Sequence, residues 1–256
     1  MSDVIYGINP VTETLRVRAS QITKIIFATG KEAKGVKGLA DLAKRKKVPV
    51  EYTQRRVLDQ RSGVKHHQGV LAIVLPYREV GLDEIIDQWK DSGERLLTLI
   101  LDGIQDPQNL GALIRTACAC GVHGVITLKD RSAPLTGAAF KASAGALEHI
   151  NVVRATNLAA AIDHLKEKGA WIAGASGDSK TSIYDLDGTL DLALVVGSEG
   201  KGIRPLVKKK CDFLVHIPLR GEISSLNASA AGAIALYEIM RQRYYGREKG
   251  LTKTDS

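Results

Sequence analysis

Residues 96–102, Leu-Leu-Thr-Leu-Ile-Leu-Asp, decide the fold class of this chain. Apolar residues run almost continuously through this stretch, as they do through residues 192–197, Leu-Ala-Leu-Val-Val-Gly. A strand with one wet face alternates apolar and polar residues, whereas a parallel strand covered on both faces does not. Both stretches therefore predict strands of a parallel sheet that is covered by helices, which is the α/β class.

Strands and helices are predicted to alternate along most of the chain. From residue 96 onward, strands are predicted at 96–102, 122–128, 150–154, 170–175, 191–197 and 213–218, and helices at 109–120, 136–145, 157–168, 203–210 and 227–244. Before that point, strands at 24–28, 48–53 and 69–75 and helices at 32–47 and 54–61 predict a smaller α/β unit.

Four segments are predicted from this pattern. Residues 1–75 form a small α/β domain, and residues 76–95 form a polar linker that begins at Pro76. Residues 96–246 form a larger α/β domain, and residues 247–256 form a polar, frayed tail.

The positive charge is concentrated in the first segment. Residues 1–75 contain 14 Lys or Arg and 6 Asp or Glu, a net charge of +8, whereas residues 76–256 contain 22 of each. A footprint on a polyanion produces such segregation, and a solvated basic surface is the alternative. The cations expected to contact the polyanion are Lys44, Arg45, Lys46, Lys47, Arg55, Arg56 and Lys65. The turn His66-His67-Gln68 is either another such contact or a solvated turn.

Composition argues against several classes of protein. No apolar run has the length that crosses a bilayer, and residues 1–10 lack the basic and apolar regions of a signal peptide. We therefore expect a soluble, cytoplasmic protein. The three cysteines are too scattered for a disulfide framework, and the six histidines show no metal-ligand spacing, so no metal is expected.

Three polar, glycine-rich loops follow predicted strands, at the edge where parallel sheets bind ligands. The first loop runs from Asp102 to Arg115. Asn109 in this loop is either a helix N-cap or a functional residue. Arg115 falls within an otherwise apolar helix, where an arginine needs either an ion-pair partner or a ligand.

The other two loops are ambiguous when each is taken alone. Residues 195–203, Val-Val-Gly-Ser-Glu-Gly-Lys-Gly-Ile, match neither the GxxxxGK[ST] phosphate-binding spacing nor the GxGxxG fingerprint. Their glycines nevertheless let the backbone approach a ligand closely. Residues 216–229 lead from a strand into the final helix, and polar residues such as Ser225 and Asn227 are candidates for ordinary helix capping.

Together, the three loops resemble the three motifs of the SpoU (TrmH-like) branch of the SPOUT RNA methyltransferases. The matching residues are Asp106-Pro-Gln-Asn109-Leu-Gly with Arg115, Gly197-Ser-Glu199-Gly-Lys-Gly, and Ile217-Pro with Ser225-Leu-Asn227-Ala-Ser229. The opening Ile5-Tyr-Gly-Ile-Asn9 and the run His67-Gln-Gly-Val70 are similar to the N-terminal RNA-binding domain of bacterial 23S rRNA guanosine 2′-O-methyltransferases.

The resemblance implies a particular fold and a cofactor. A small α/β RNA-binding domain is expected to precede an α/β catalytic domain whose C-terminal segment is threaded into a trefoil knot. S-adenosylmethionine is expected to bind in the knot, held by backbone groups of Gly197, Ile217 and Leu226. The family also implies a homodimer that needs no metal. Ala233, Leu236 and Ile239 of the final helix either line that interface or face their own core.

The resemblance also implies a reaction, the transfer of a methyl group from S-adenosylmethionine to a ribose 2′-hydroxyl. A guanosine in 23S rRNA is the most specific expectation. Arg115 is implied as the base or as the group that contacts the ribose and its phosphate, and the second role is chemically safer because arginine is a very poor base. Asn109, Glu199, Ser225 and Asn227 are implied to position that arginine, the ribose and the cofactor. The alternatives are methylation of tRNA or of an rRNA adenosine, or a non-catalytic RNA-binding assembly factor.

Overall fold

The structure is a computed structural model that describes residues 3–30 and 35–245. Its strands are β1 (Asp3–Tyr6), β2 (Ile22–Ala28), β3 (Val50–Thr53), β4 (Val70–Val74), β5 (Leu97–Asp102), β6 (Gly124–Leu128), β7 (Asn151–Ala155), β8 (Trp171–Ala175), β9 (Thr181–Ser182), β10 (Leu192–Gly197) and β11 (Phe213–His216). Its α-helices are α1 (Ile8–Arg18), α2 (Val36–Arg45), α3 (Arg55–Ser62), α4 (Leu82–Ser92), α5 (Pro107–Ala119), α6 (Gly137–Ala142), α7 (Leu158–Glu167), α8 (Pro205–Lys210) and α9 (Ala228–Tyr244). The predicted polar tail lies outside the described residues.

The chain divides into two compact units that are discontinuous in sequence. Unit 1 contains the chain up to Arg78 together with Asp106–Arg115 and Ala133–Ile150. Unit 2 contains Glu79–Gln105, Thr116–Ser132 and the chain from Asn151 onward.

A mixed sheet in the order β1-β4-β2-β3 forms the centre of unit 1. β4 runs antiparallel to both of its neighbours, while β2 and β3 are parallel. Ile25, Phe27 and Leu71 are fully buried in this sheet, as are Leu15 of α1 and Leu58 of α3. The sequence prediction had no element before residue 24 and so lacked β1 and α1; β1 spans only 4 residues, too few to show a clear period.

Residues 133–150 belong to unit 1, although they follow β6 of unit 2 in the sequence. α6 lies against β1. Further along, the carboxylate of Glu148 accepts hydrogen bonds from Arg18 Nε at 2.5 Å and from Thr14 Oγ1 at 2.6 Å. The Glu148 side chain is 1% exposed, so this ion pair is shielded from solvent. This packing has no counterpart in the sequence prediction, because nothing local in the chain indicates such a distant partner.

Unit 2 contains a seven-stranded sheet in the order β7-β6-β5-β10-β8-β11-β9, and every pairing in it is parallel. The prediction of a parallel sheet is confirmed, and β5 and β10 are adjacent central strands with every residue buried. The trefoil knot is not established by this strand order and stays a prediction.

Helices cover the sheet of unit 2. A shared apolar core joins α4, α7 and α8 to β5, β6, β8 and β10. α4 lies within the stretch predicted as a linker, yet its Ile85, Ile86 and Trp89 are buried in this core. The spacing of these three residues is helical, but the polar residues between them obscured it.

The C-terminal end of α9 is fastened to unit 2 by Arg243. Its guanidinium donates hydrogen bonds of 2.7–2.9 Å to the backbone carbonyl oxygens of Gly188, Arg95, Leu96 and Leu190. Burial lowers the pKa of Arg243 from its ordinary value. The four carbonyl groups replace the water that this cation would otherwise bind.

Candidate active site

A cavity lies at the carboxyl edge of the unit 2 sheet. The adjacent strands β10, β8 and β11 end at Gly197, Ala175 and His216, and the loops that follow them line a cavity of about 740 Å³. Sites for small ligands typically measure about 300–1,000 Å³ and lie at this edge of parallel sheets. The size and position are therefore those of a ligand site.

Most of the residues singled out from the sequence line this one cavity. These are Gly197, Glu199, Ile217, Ser225, Leu226 and Asn227. They come from two loops about 20 residues apart in sequence, and the parallel pairing of the strands brings the loops together. The functional role of each residue remains a prediction.

Gly197 ends β10 where the chain folds back on itself. Ser198 and Gly202 bond reciprocally through their backbones, with N–O distances of 3.2 and 2.9 Å. A Cβ on Gly197 would lie 2.1 Å from the carbonyl carbon of Gly202, which no real side chain tolerates. Only glycine fits this position, and the resulting turn exposes backbone groups along the cavity wall.

Asn227 joins the second motif to the third. Its Oδ1 accepts from the backbone N–H groups of Ser229 and Ala230, so it is the N-cap of α9. Its Nδ2 also donates to the carboxylate of Glu199. The capping role and the site role considered for Asn227 are therefore compatible, because different atoms of one amide perform them.

Two charged pairs at this edge were not found by sequence reasoning. The buried carboxylate of Asp102, at the end of β5, accepts from the backbone N–H of Arg204 at 2.8 Å and from Arg204 Nε at 2.6 Å. This pair ties the end of β5 to the start of α8. The sequence did carry one signal for this pair. An aspartate at the end of an apolar strand is expected to be buried and therefore to need a charged partner.

The second pair lies on the cavity wall itself. Lys208 Nζ contacts both carboxylate oxygens of Asp178, at 2.6 and 2.7 Å, and Ser176 Oγ donates to the same carboxylate at 2.6 Å. The hydrogen bonds from Lys208 and Ser176 lower the pKa of Asp178 to about 2. The wall therefore presents a fixed cation and a fixed carboxylate side by side at neutral pH.

Asn109 and Arg115 lie on α5, within unit 1. Of the two alternatives for Asn109, the structure excludes the N-cap, because α5 begins at Pro107 and Asp106 accepts from the backbone N–H of Gln108 at 3.0 Å. Aspartate at the cap followed by proline is a favoured helix start. Asn109 is instead buried within the helix.

Arg115 lies on the exposed side of α5. Its side chain is exposed, while Leu113, Ile114 and Ala117 of the same apolar run are buried. Helical periodicity explains this, since residue 115 faces away from the buried stripe. The side chain is available to a ligand.

Neither a metal centre nor a reactive thiol is found in the part of the chain that the structure describes. No group of three or more His, Cys, Asp or Glu side chains there could hold a metal ion. Burial raises the pKa of the Cys120 and Cys211 thiols to about 11, which keeps them protonated and unreactive near neutral pH. Among the described helices none is long and apolar enough to cross a membrane.

For two residues of the final helix, the structure decides between the subunit interface and the core. Leu236 and Ile239 are 0% and 1% exposed and face the core of their own unit, so these two cannot line a subunit interface. Ala233 is partly buried. The residues that α9 exposes are others, among them Ile234 and Tyr237.

The parallel sheet and the glycine-rich cavity at its carboxyl edge are those of an α/β protein with a site for a small ligand. The family model described as the SpoU rRNA Methylase family matches residues 96–237. A second, described as RNA 2′-O ribose methyltransferase substrate binding, matches residues 4–80. The chain therefore belongs to the SpoU methylase family of RNA ribose 2′-O-methyltransferases, as the three motifs indicated.

Individual relatives agree with this assignment. A Bacillus subtilis protein named as the TrmH family tRNA/rRNA methyltransferase YacO is 41% identical over 241 residues, which cover 94% of this chain and 96% of that protein. An RNA methyltransferase of the TrmH family from Porphyromonas gingivalis has a TM-score of 0.71 at 26% identity and covers 94% of this chain and 90% of its own. The SpoU methyltransferase AviRb from Streptomyces viridochromogenes, solved with the cofactor AdoMet, has a TM-score of 0.78 at 23% identity, with 96% and 92% covered.

Proposed function

We propose that this protein transfers the methyl group of S-adenosylmethionine to the 2′-hydroxyl of a guanosine in 23S rRNA. The observation that carries the proposal is the convergence of Gly197, Glu199, Ile217, Ser225, Leu226 and Asn227 on one cavity. The family fixes the type of reaction, and the particular nucleotide is the part that is proposed.

The cavity fits S-adenosylmethionine in its chemistry. Backbone groups beside Gly197 offer donors and acceptors for an adenine ring and a ribose, while Ile217 and Leu226 supply apolar walls. The paired charges of Asp178 and Lys208 suit a ligand that itself carries both signs of charge. When bound, the cofactor supplies a methyl group on a sulfonium, which is a good leaving centre.

Arg115 orients the RNA in this proposal. Its exposed guanidinium offers planar donors that suit a phosphate or ribose oxygen. Holding the 2′-hydroxyl in line with the methyl group supplies the entropic part of the acceleration. This role does not require Arg115 to accept the hydroxyl proton, because a guanidinium is a very poor base.

The remaining motif residues stabilise the site. Asn227 holds the carboxylate of Glu199 and caps α9, so both are fixed against the cavity. Ser225 is exposed on the cavity wall and offers a hydroxyl for the ribose or the cofactor. Asn109 belongs to the same set by its motif, and its burial on α5 suits a residue that supports Arg115 from within the helix.

Ribosomal RNA is the proposed substrate because unit 1 carries a cationic surface. Every side chain in the basic run Lys44–Lys47 is exposed, as are those of Arg55, Arg56 and Lys65. The substrate-binding family model covers the same part of the chain. These cations fix RNA through its phosphates and leave the choice of base to other contacts.

We further propose that the protein acts in the cytoplasm as a homodimer without a metal. Ile234, Tyr237 and Tyr244 lie three or seven residues apart and form one exposed apolar face of α9, with exposures of 37%, 51% and 60%. Tyrosine is enriched at protein interfaces. Light scattering at micromolar concentration tests this part, and a monomer that is fully active would overturn it.

Two measurements test the function. Calorimetry must detect binding of S-adenosylmethionine to the purified protein, since a dead RNA-binding assembly factor would not bind it. Mapping of 2′-O-methylation in cells with and without the gene must then reveal one guanosine of 23S rRNA that loses its methyl group. A lost methyl group on a tRNA or on an rRNA adenosine would replace the proposed substrate.

A further inference from the structure

Two short motifs of unit 1 meet at the start of α1, although no role in the reaction has been given to either. These are Ile5-Tyr-Gly-Ile-Asn9 and His67-Gln-Gly-Val70. The backbone N–H of Ile8 donates to Gln68 Oε1 at 3.1 Å. The side chain of Gln68 therefore caps the N-terminal end of α1, and Gln68 is exposed to solvent.

The turn that carries Gln68 is rigid. His67 is completely buried, its Nε2 lies 2.9 Å from Asp59 Oδ1, and its Nδ1 accepts from the backbone N–H of Gly69 at 3.0 Å. Gln68 is held in the left-handed region, with φ of 57°, a conformation that side chains adopt only when their surroundings impose it. His67 is thus excluded as an RNA contact, whereas His66 and Gln68 are exposed.

A residue distant in sequence shares the same acceptor. Lys141 of α6 donates from Nζ to Gln68 Oε1, across 73 positions of sequence. Burial lowers the pKa of Lys141, and its side chain is only partly exposed. The Gln68 carboxamide therefore connects the exposed turn to α6.

α6 in turn packs closely against α5. A Cβ on Gly111 of α5 would lie 2.4 Å from Ala142 Cβ and 2.8 Å from the carbonyl oxygen of Ala139, so the two helices touch through their backbones. Gly111 lies four residues before Arg115 on the same helix. A displacement of α6 is thus transmitted to the helix that carries Arg115.

The segment after α6 is fastened independently. Glu148 pairs with Arg18, and His149 Nε2 lies 2.9 Å from Glu13 Oε2. Tyr77 Oη donates to the carbonyl oxygen of Ile150 at 2.8 Å. Residues 146–150 are therefore held without Gln68, while α6 itself packs on β1 and is joined to the exposed turn by the Gln68–Lys141 contact.

We propose that Gln68 and Lys141 are positioning residues that link RNA contact at the turn 66–69 to the placement of Arg115. The inference rests on the proposed function, because it needs Arg115 to act on the RNA. RNA that contacts the exposed turn fixes the hydrogen bond between Gln68 and Lys141. Lys141 lies on α6, and α6 packs on α5, so the position of the Arg115 guanidinium on α5 depends on this hydrogen bond. The link lies wholly within unit 1.

The test separates turnover from binding. In Gln68→Ala and Lys141→Met, we expect kcat for RNA methylation to fall about 10- to 100-fold, since a displacement of about 1 Å has that cost. The dissociation constant of S-adenosylmethionine should not change. Gln68→Glu keeps an acceptor for both Ile8 and Lys141, so it should restore kcat while its added negative charge raises KM for RNA.

Gln60→Ala is the matched control, because Gln60 is an exposed glutamine of α3 in unit 1 that has been given no role in binding or catalysis. This variant should leave kcat unchanged. If Gln68→Ala and Lys141→Met both have normal kcat while Arg115→Ala is inactive, the link between Gln68 and Arg115 is contradicted and the proposed function still stands. Normal activity of Arg115→Ala would instead overturn the role given to Arg115 in the proposed function. Low kcat in Gln68→Glu as well, with an unchanged melting temperature, would also contradict the link.

Discussion

Asn227 donates a hydrogen bond to the carboxylate of Glu199 across 28 positions of sequence, and the same side chain caps α9. One amide therefore serves two purposes through two atoms, and the two can be separated by substitution. The cap needs only the oxygen, whereas the contact with Glu199 needs the N–H group.

Asn227→Asp should separate them. Aspartate keeps the capping oxygen, so the melting temperature should change little, but it places a second carboxylate against Glu199. We expect the affinity for S-adenosylmethionine, measured by calorimetry, to fall about tenfold, which corresponds to about 1.4 kcal/mol.

The matched control for this variant is Asn157→Asp. Asn157 caps α7 by accepting from the backbone N–H groups of Ala159 and Ala160, and it does not line the cavity. This variant should bind the cofactor normally. A similar loss of affinity in both variants would attribute the effect to the caps rather than to Glu199.

Arg115→Ala should abolish methyl transfer while cofactor binding persists. The side chain is exposed, so its removal should change the free energy of unfolding by no more than about 0.5 kcal/mol. Arg115→Lys keeps the charge but loses the planar donors, and its activity should also be low. Near-normal turnover by a folded Arg115→Ala protein would show that the residue has no role in the reaction.

Neutralising the run Lys44–Lys47 to glutamine should weaken RNA binding and reduce its salt dependence. Each phosphate contact that is lost should lower the slope of log K against log salt by roughly 0.7–0.9. The double variant Lys90→Gln with Lys168→Gln removes exposed charge from unit 2 and should leave the slope unchanged. Equal slopes in all three proteins would mean that the basic run has another purpose.

The Asp178–Lys208 pair should make stability depend on pH in the acid range. The pKa of Asp178 is lowered from 3.8 to about 2 in the folded protein, so the pair stabilises the fold fully above about pH 4. That contribution is lost as the pH falls toward 2. The difference in melting temperature between the wild type and Asp178→Asn should therefore be largest near neutral pH and shrink between pH 4 and pH 2. A difference that is constant over this range would mean that the pair adds no stability.

Much of the larger sheet was predictable because its strands are apolar on both faces. The strands predicted at 96–102 and 191–197 begin within one residue of β5 and β10 and end where they do. Strand order was not predictable, since hydrogen bonding between chain segments leaves no trace in local composition. β10 pairs with β5 although more than 80 residues separate them.

The candidate site was predictable where its residues belong to motifs and unpredictable where they act as pairs. Glu199 and Asn227 were identified through their loops, but the bond between them depends on the fold. Lys208 and Asp178 lie 30 positions apart and belong to no motif, so nothing in the sequence marks them. The exposure of Arg115 could not be predicted, because a run of apolar neighbours does not reveal which side of a helix one residue faces.

Arg243 has a consequence for the synthesis of this protein. The carbonyl group of Arg95 that it binds lies 148 positions earlier in the chain. Ribosomes add about 5–20 residues per second, so roughly 7–30 s separate the emergence of these two residues. Throughout that interval the amino end of β5 lacks the cation that later fastens α9 to it. The fastening of α9 is thus a late step in the synthesis of unit 2, because it requires Arg243 to have emerged from the ribosome.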